Sequence, residues 1–228
     1  MAKNKLETLS IIFDCAQKYK ENLVNRSLLF VCNDKQKRIY CVEVTFDESN
    51  FQHLTGVKIN RKKNSPKDFY NRCLEKRLSP DDFEFSDTGT TELKLQVLPT
   101  LMCKNLSAKM IGDYNMSQPK LFTEKLAGGV SACMGFVRNN GKGRYIPNTV
   151  LRDDVRVRAK HADRIIATFR KRRNEIRYTE PVYLAKNADW QKVILPEKYK
   201  YLSVISFSDW RKKAEEDGCC RNRPSIEY

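Results

Sequence analysis

Histidine is nearly missing from this chain: two of 228 residues are His, against 43 Lys and Arg. No two cysteines stand as C-x-x-C, which argues against a zinc ribbon or a thiol redox motif. No apolar run approaches the roughly 18 residues that a membrane span needs. The opening MAKNKLETLSIIFDCAQKYK does not read as a secretory signal, because its apolar stretch is only Leu9 to Phe13 and Asp14 interrupts it. Internal repeats, low-complexity tracts, an obvious linker, a helix-turn-helix and a zinc finger are all missing. Acid is also in short supply. The 28 Asp and Glu leave a formal charge of +15, an imbalance that points to phosphate polymers or anionic surfaces as partners.

Hydrophobic residues make up 40% of the chain, enough for a real core. Of the eight cysteines, those within LLFVCN and IYCVEV are flanked by apolar residues and read as reduced, buried thiols of a cytoplasmic protein. Cys219 and Cys220 stand side by side in a polar tail. The expected organisation is one α+β domain over residues 1–190 and a C-terminal extension over 191–228 with a flexible end.

Helical spacing of apolar residues predicts a helix over 6–23. SLLFVC and IYCVEVTF follow as strands, joined into a hairpin by the polar NDKQKR. Ser65 before Pro66 marks a helix start over 66–77, and SPDDF repeats the capping chemistry at Ser79. TTELKLQVLPTLM is too long and apolar for a strand and is expected as a helix that Pro99 kinks or ends. From about residue 108 the grammar becomes short strand-like runs broken by turns such as NNGKG and KRRNE. Helices first and an antiparallel sheet of at least four strands afterwards make an α+β fold.

Two windows carry the basic excess. Lys58 to Arg77 holds eight basic residues against two acids, with Lys58, Arg61, Lys62 and Lys63 closely spaced. Arg152 to Arg177 holds ten against four, and places Arg170, Lys171, Arg172 and Arg173 at an expected hairpin tip. Tyr178 beside them offers a stacking surface, and Arg138 and Arg164 are further cations of the strand region. RNA or another nucleic acid is the expected partner.

FQHLTGVK runs into the first of those windows at Lys58. Cutting RNA without a metal needs a base for the 2′-OH proton, an acid for the departing 5′ oxygen and cations for the crowded phosphate. Histidine suits the proton transfers, because its pKa lies near neutrality. If the segment is extended, His53 and Thr55 project from one face, and Gly56 allows close approach of backbone to phosphate.

The motif FQHLTGV resembles the F-x-H-L-T-G signature of a phage-associated predicted nuclease family in the barnase–EndoU–colicin–RelE-like group of metal-independent RNases and toxins. DFYNRCLEKRLSPDDF, TELKLQVLPTLM, CMGFV with GRYIPNTVLRDD, and YTEPVYL resemble it further, in order, over about residues 28–186. The resemblance implies helices packed on an antiparallel sheet whose concave face holds the site. It implies His53, Thr55 and Lys94 as catalytic candidates, no metal or other cofactor, and a host protein or antitoxin as a possible further partner in a host cytoplasm.

Two rival readings remain open. Pro80-Asp81 followed by Glu92-Leu93-Lys94 matches the loose P-D…E-x-K pattern of metal-dependent DNA nucleases. A phage protein that only binds nucleic acid, or blocks a host defence, accounts for the same charge without catalysis.

Overall fold

A computed structural model describes residues 4–60, 64–116, 121–139, 143–207 and 210. The first helix, α1 (Lys5–Asn22), starts at Asn4, whose side chain accepts the Leu6 amide, and its buried stripe is Leu9, Ile12, Cys15, Ala16 and Tyr19. β1 (Arg26–Asn33) and β2 (Ile39–Thr45) form the expected antiparallel hairpin. Then the reading of FQHLTG as extended chain fails. Phe51–Thr55 is a short helix, α2, and Gly56 ends it in the left-handed conformation at φ 74°. On a helix, positions i and i+2 diverge by about 200°, so His53 and Thr55 do not share a face.

A two-residue strand pair follows, β3 (Lys58–Ile59) with β4 (Phe83–Glu84). Between them lies α3 (Pro66–Leu74), opened by a reciprocal Ser65–Asp68 capping box. A second box, Ser79 with Asp82, opens the 3-10 turn Pro80–Asp82. α4 (Thr90–Leu101) is the helix expected from its length and apolarity. Pro99 is tolerated inside its final turn, and the helix stops two residues later.

The strands that follow are β5 (Met110–Asp113), β6 (Lys125–Gly128), β7 (Cys133–Arg138), β8 (Tyr145–Leu151), β9 (Asp163–Arg172) and β10 (Glu180–Leu184), with the short helix α5 (Val155–Arg158) between β8 and β9. They join β1 and β2 in one sheet of order β1-β2-β8-β7-β6-β5-β9-β10, and β1 also pairs with β9. The pairings therefore run in a closed circuit, which leaves β10 as an appended strand. β9 makes this possible through its length. Arg164 and Asp163 pair with β5, while Ala167 to Arg170 pair with β10. A bulge in β1 between Val31 and Cys32 adds the curvature. All joins are antiparallel except β2–β8, a parallel contact held by one residue pair, Val44↔Tyr145. That weak join is the seam of the circuit.

Both faces of β1 are covered, which explains why its sequence is a continuous apolar run rather than an alternating one. Leu28, Phe30 and Cys32 pack with α1 to α4. The centre of that layer is an aromatic cluster of Tyr19, Phe51 and Tyr70, with Phe51 5.2 Å from Tyr19 and 5.4 Å from Tyr70 between ring centres. Leu29 and Val31 face the opposite layer, built by Phe169 with Trp190, Leu195, Tyr199, Leu202 and Phe207. Residues 190–207 thus form the second lid of the sheet, in 3-10 turns Trp190–Lys192 and Glu197–Val204. Among the described residues, no helix is long and apolar enough to cross a membrane.

Candidate active site

The FQHLTG corner is first of all a joint between α2 and α4. Phe51 and Leu54 are fully buried. Thr55 is buried too, and its hydroxyl donates to the Gln52 carbonyl at 2.7 Å while accepting the Val57 amide at 3.3 Å. The Thr91 hydroxyl donates to the Gly56 carbonyl at 2.7 Å, and the Lys94 ammonium donates to the His53 carbonyl at 3.0 Å. A Cβ at Gly56 would lie 2.7 Å from Lys94 Cδ and 3.3 Å from Thr91 Cα. Lys94 therefore serves the free carbonyl end of α2, a favourable place for a cation, and its burial pushes the ammonium down to about 8. His53 itself is exposed. The structure brings Lys94 to the His53 carbonyl and buries Thr55 with its hydroxyl on the backbone.

Strand alternation dismantles the basic run at 170–173. β9 residue Arg170 lies opposite Leu28 of β1, on the helix side, and Lys171 lies opposite Ser27, on the other. Arg170 is 8% exposed, grips both oxygens of Glu180 at 2.8 and 2.6 Å, and donates to the Asn22 carbonyl that ends α1 at 3.0 Å. Lys171 is buried and donates to the carbonyls of Glu175 and Ile176. Arg173 pairs with Asp47, and Arg172 is exposed. The expectation of four cations at one hairpin tip is corrected accordingly. Tyr178 is 2% exposed, so it is no open stacking platform. Lys58 pairs with Asp87 at 2.5 Å, and Arg164 is exposed on β9. Arg61, Lys62 and Lys63 lie outside the described residues.

Polar groups converge at the seam. β2 and β8 separate on one side of Val44↔Tyr145, and the gap is a cleft of about 520 Å³. Its lining includes Tyr40 to Glu43 from β2, Lys125 from β6, Arg138 from β7, Arg144 and Tyr145 at the start of β8, and Lys198 and Tyr199. Alternation along β2 puts Ile39, Cys41 and Glu43 toward the second layer, so a carboxylate stands where an apolar residue would be expected. Its side chain is 9% exposed. Four groups reach it: the Lys198 ammonium, the Tyr199 hydroxyl, Arg144 Nε at 3.2 Å and the Tyr178 hydroxyl at 3.3 Å. Burial opposes ionisation of Glu43, but hydrogen bonds from Lys198 and Tyr199 and the charges of Lys198 and Arg144 outweigh it and hold the carboxyl below the usual range.

Lys171 completes the surroundings, 4.8 Å above the Tyr178 ring. Burial, then the nearby Arg144 charge, lowers its proton affinity. Burial raises the phenols of Tyr178 and Tyr199, so both remain O–H donors at neutral pH. On the far wall, Arg138 donates to the Tyr145 hydroxyl at 3.1 Å, and Lys125 lies 5.7 Å from that ring's centre. The cleft thus sets cations around one ionised carboxylate with protonated tyrosines beside it. Such a set can take a proton, give a proton and face a phosphate.

Among the candidates named from sequence, Arg138 lines the cleft, Tyr178 reaches Glu43 from behind it with Lys171 over its ring, and His53, Thr55 and Lys94 do not line the cleft. Glu43, Arg144, Lys198 and Tyr199 were missed. Glu43 had one signal, a lone acid in the apolar strand IYCVEVTF. Among the described residues, no three His, Cys, Asp or Glu side chains cluster as metal ligands. The P-D…E-x-K pattern also loses its geometry, because Glu92 and Lys94 lie on helix α4, about 200° apart.

The protein is an α+β fold with a cationic, carboxylate-centred cleft in its sheet. Residues 11–187 match the family model described as phage-Barnase-EndoU-ColicinE5/D-RelE like nuclease4, and the chain belongs to that family. No curated protein and no solved structure matches it. The family is one of phage-associated nucleases, whose substrate is nucleic acid.

Proposed function

We propose that the protein is a metal-independent endoribonuclease whose chemistry is done in the seam cleft. The observation that carries this reading is the enclosure of ionised Glu43 by Arg144, Lys198, Tyr199 and Tyr178. In this scheme Glu43 takes the proton of the ribose 2′-OH, and the 2′ oxygen attacks the adjacent phosphorus. Arg144 and Lys198 face the charge that builds on the phosphate oxygens, the part a metal ion plays in other nucleases. Lys171, whose proton affinity burial lowers, gives a proton to the departing 5′ oxygen. The products are a 2′,3′-cyclic phosphate and a 5′-OH. Purified protein should cleave labelled single-stranded RNA in EDTA and leave those ends. Loss of cleavage in EDTA would refute metal independence. Tight RNA binding with no cleavage would make the chain a binding module instead.

A second reading keeps the reaction at His53. It is favoured by the Lys94 ammonium, 3.0 Å from the His53 carbonyl and lowered to about 8 by burial. There the imidazole handles the proton, Lys94 faces the phosphate, and Thr55 serves only to shape the corner. His53→Ala separates the two readings.

A further inference from the structure

The family match ends at residue 187, yet two of the four groups that hold Glu43 come from beyond it. Lys198 and Tyr199 lie in the 3-10 segment Glu197–Val204. This segment is anchored, not draped. Leu202 is fully buried, its carbonyl accepts the Trp190 indole N–H at 3.3 Å, and the Tyr201 hydroxyl accepts the Tyr178 amide at 3.0 Å. The two residues that touch Glu43 differ sharply in exposure. Tyr199 is 7% exposed, whereas the Lys198 side chain is 71% exposed, with its ammonium on the carboxylate and 5.0 Å from the Tyr199 ring centre.

A cation held by a buried carboxylate at its tip and open to solvent along its stem has a second conformation at little cost, because its stem is not packed. A buried tyrosine has no such freedom. We infer that the segment Glu197–Val204 is a working part of the cleft: Lys198 is a phosphate ligand that rests on Glu43 until substrate arrives, and Tyr199 is the positioning residue that keeps the carboxylate aimed. This rests on the assignment of the reaction to Glu43. Transfer of Lys198 from carboxylate to phosphate does two things together. It supplies a charge-assisted contact to the substrate. It also removes a cation from Glu43, whose proton affinity then rises toward that of a useful base. The remaining groups that act on the carboxylate are Arg144, Lys171 and Tyr178 from the surrounding elements and Cys41 from its own strand.

Lys198→Ala, Lys198→Arg, Tyr199→Phe and Glu43→Gln in the full chain test this. With ¹³C-labelled glutamate, and Glu43→Gln to assign the signal, the Glu43 carboxyl should titrate at higher pH in Tyr199→Phe than in wild type. The acid limb of the cleavage profile should move the same way, since loss of a donor to the ionised form raises its pKa. Lys198→Ala should raise KM for single-stranded RNA about tenfold and flatten the log–log salt slope of binding by about 0.7, and Lys198→Arg should restore most of both. Binding is read by fluorescence anisotropy in the Glu43→Gln background, so it needs no turnover. If both variants only lower Tm and leave the titration, KM and salt slope unchanged, the segment merely packs and the inference is overturned. If Glu43→Gln itself cleaves like wild type, the assignment to Glu43 falls first, and the inference falls with it.

Discussion

The FQHLTG corner and the seam cleft differ in how their chemistry is spread along the chain. The corner gathers imidazole, hydroxyl, glycine and cation within six residues, and reads as a site. Folded, the hydroxyl points inward, the glycine ends a helix, and the lysine from α4 holds a backbone carbonyl. The cleft draws Glu43, Arg144, Lys171, Tyr178, Lys198 and Tyr199 from strands and turns far apart in sequence, and of these only Arg144 and Tyr178 fall within segments that resemble the family. Chemistry close in sequence therefore gave a packing joint, while chemistry remote in sequence gave a charged pocket. Only strand register and the second layer bring the latter together.

If the cleft is the reaction site, Arg144→Ala should lower kcat about 10²- to 10³-fold, the usual cost of losing one preorganised charge at a developing anion. Lys94→Ala should change it only a few-fold. Rapid-quench kinetics on a defined RNA read both. Equal losses would mean that the corner also works in catalysis.

The split of the 170–173 run is tested next. Arg170→Ser should cost about 3 kcal/mol of stability in urea unfolding, since it leaves the Asn22 carbonyl and Glu180 without their guanidinium; the partner's half exposure keeps this at the low end for a buried pair. Arg172→Ser should leave stability unchanged and reduce the salt slope of RNA binding. A stable Arg170→Ser variant with weakened binding would restore Arg170 as a phosphate contact.

Two glycines with nearly the same backbone angle, Gly56 at φ 74° and Gly89 at φ 70°, isolate the joint's packing. Alanine in the left-handed region costs about 1–2 kcal/mol anywhere. At Gly89 nothing lies within 4 Å of the added Cβ, whereas at Gly56 it meets the Lys94 stem at 2.7 Å. Thermal unfolding should therefore rank Gly56→Ala below Gly89→Ala. Equal values would mean that the Lys94 stem gives way freely.

The smallest effect is a pH dependence at Lys94. Its folded pKa, about 8, lies below its ordinary value of 10.5, so between those values the unfolded chain binds more protons than the folded one. Stability from this group should accordingly rise with pH across that window. Wild type should gain on Lys94→Met in Tm from pH 7.5 to pH 10, and a flat difference would show an ordinary, solvated amine.

Much of the fold was legible because its signals are local. Apolar spacing marks the first helix, Ser65 with Pro66 and Ser79 mark a helix start and a turn by capping chemistry, and the run SLLFVC signals a strand. The error at FQHLTG has a physical cause: five residues carry too little periodicity to separate helix from strand, and the decisive contacts come from Thr91 and Lys94. The closed circuit could not be read, since it depends on β9 pairing with β5 and β1 across long separations. The cleft was illegible for the same reason, apart from Glu43 in its apolar strand and three of the cations and rings already suspected, Arg138, Lys171 and Tyr178.

The most direct test is single-turnover cleavage of one defined RNA in EDTA by wild type, Glu43→Gln and His53→Ala, with circular dichroism confirming that each is folded. Glu43→Gln should lose at least about 10²-fold in rate, the contribution of a general base, while His53→Ala stays within a few-fold of wild type and still yields a 2′,3′-cyclic phosphate. The reverse pattern, a crippled His53→Ala and an active Glu43→Gln, would move the reaction to the FQHLTG corner and leave the seam cleft as a structural ion cluster.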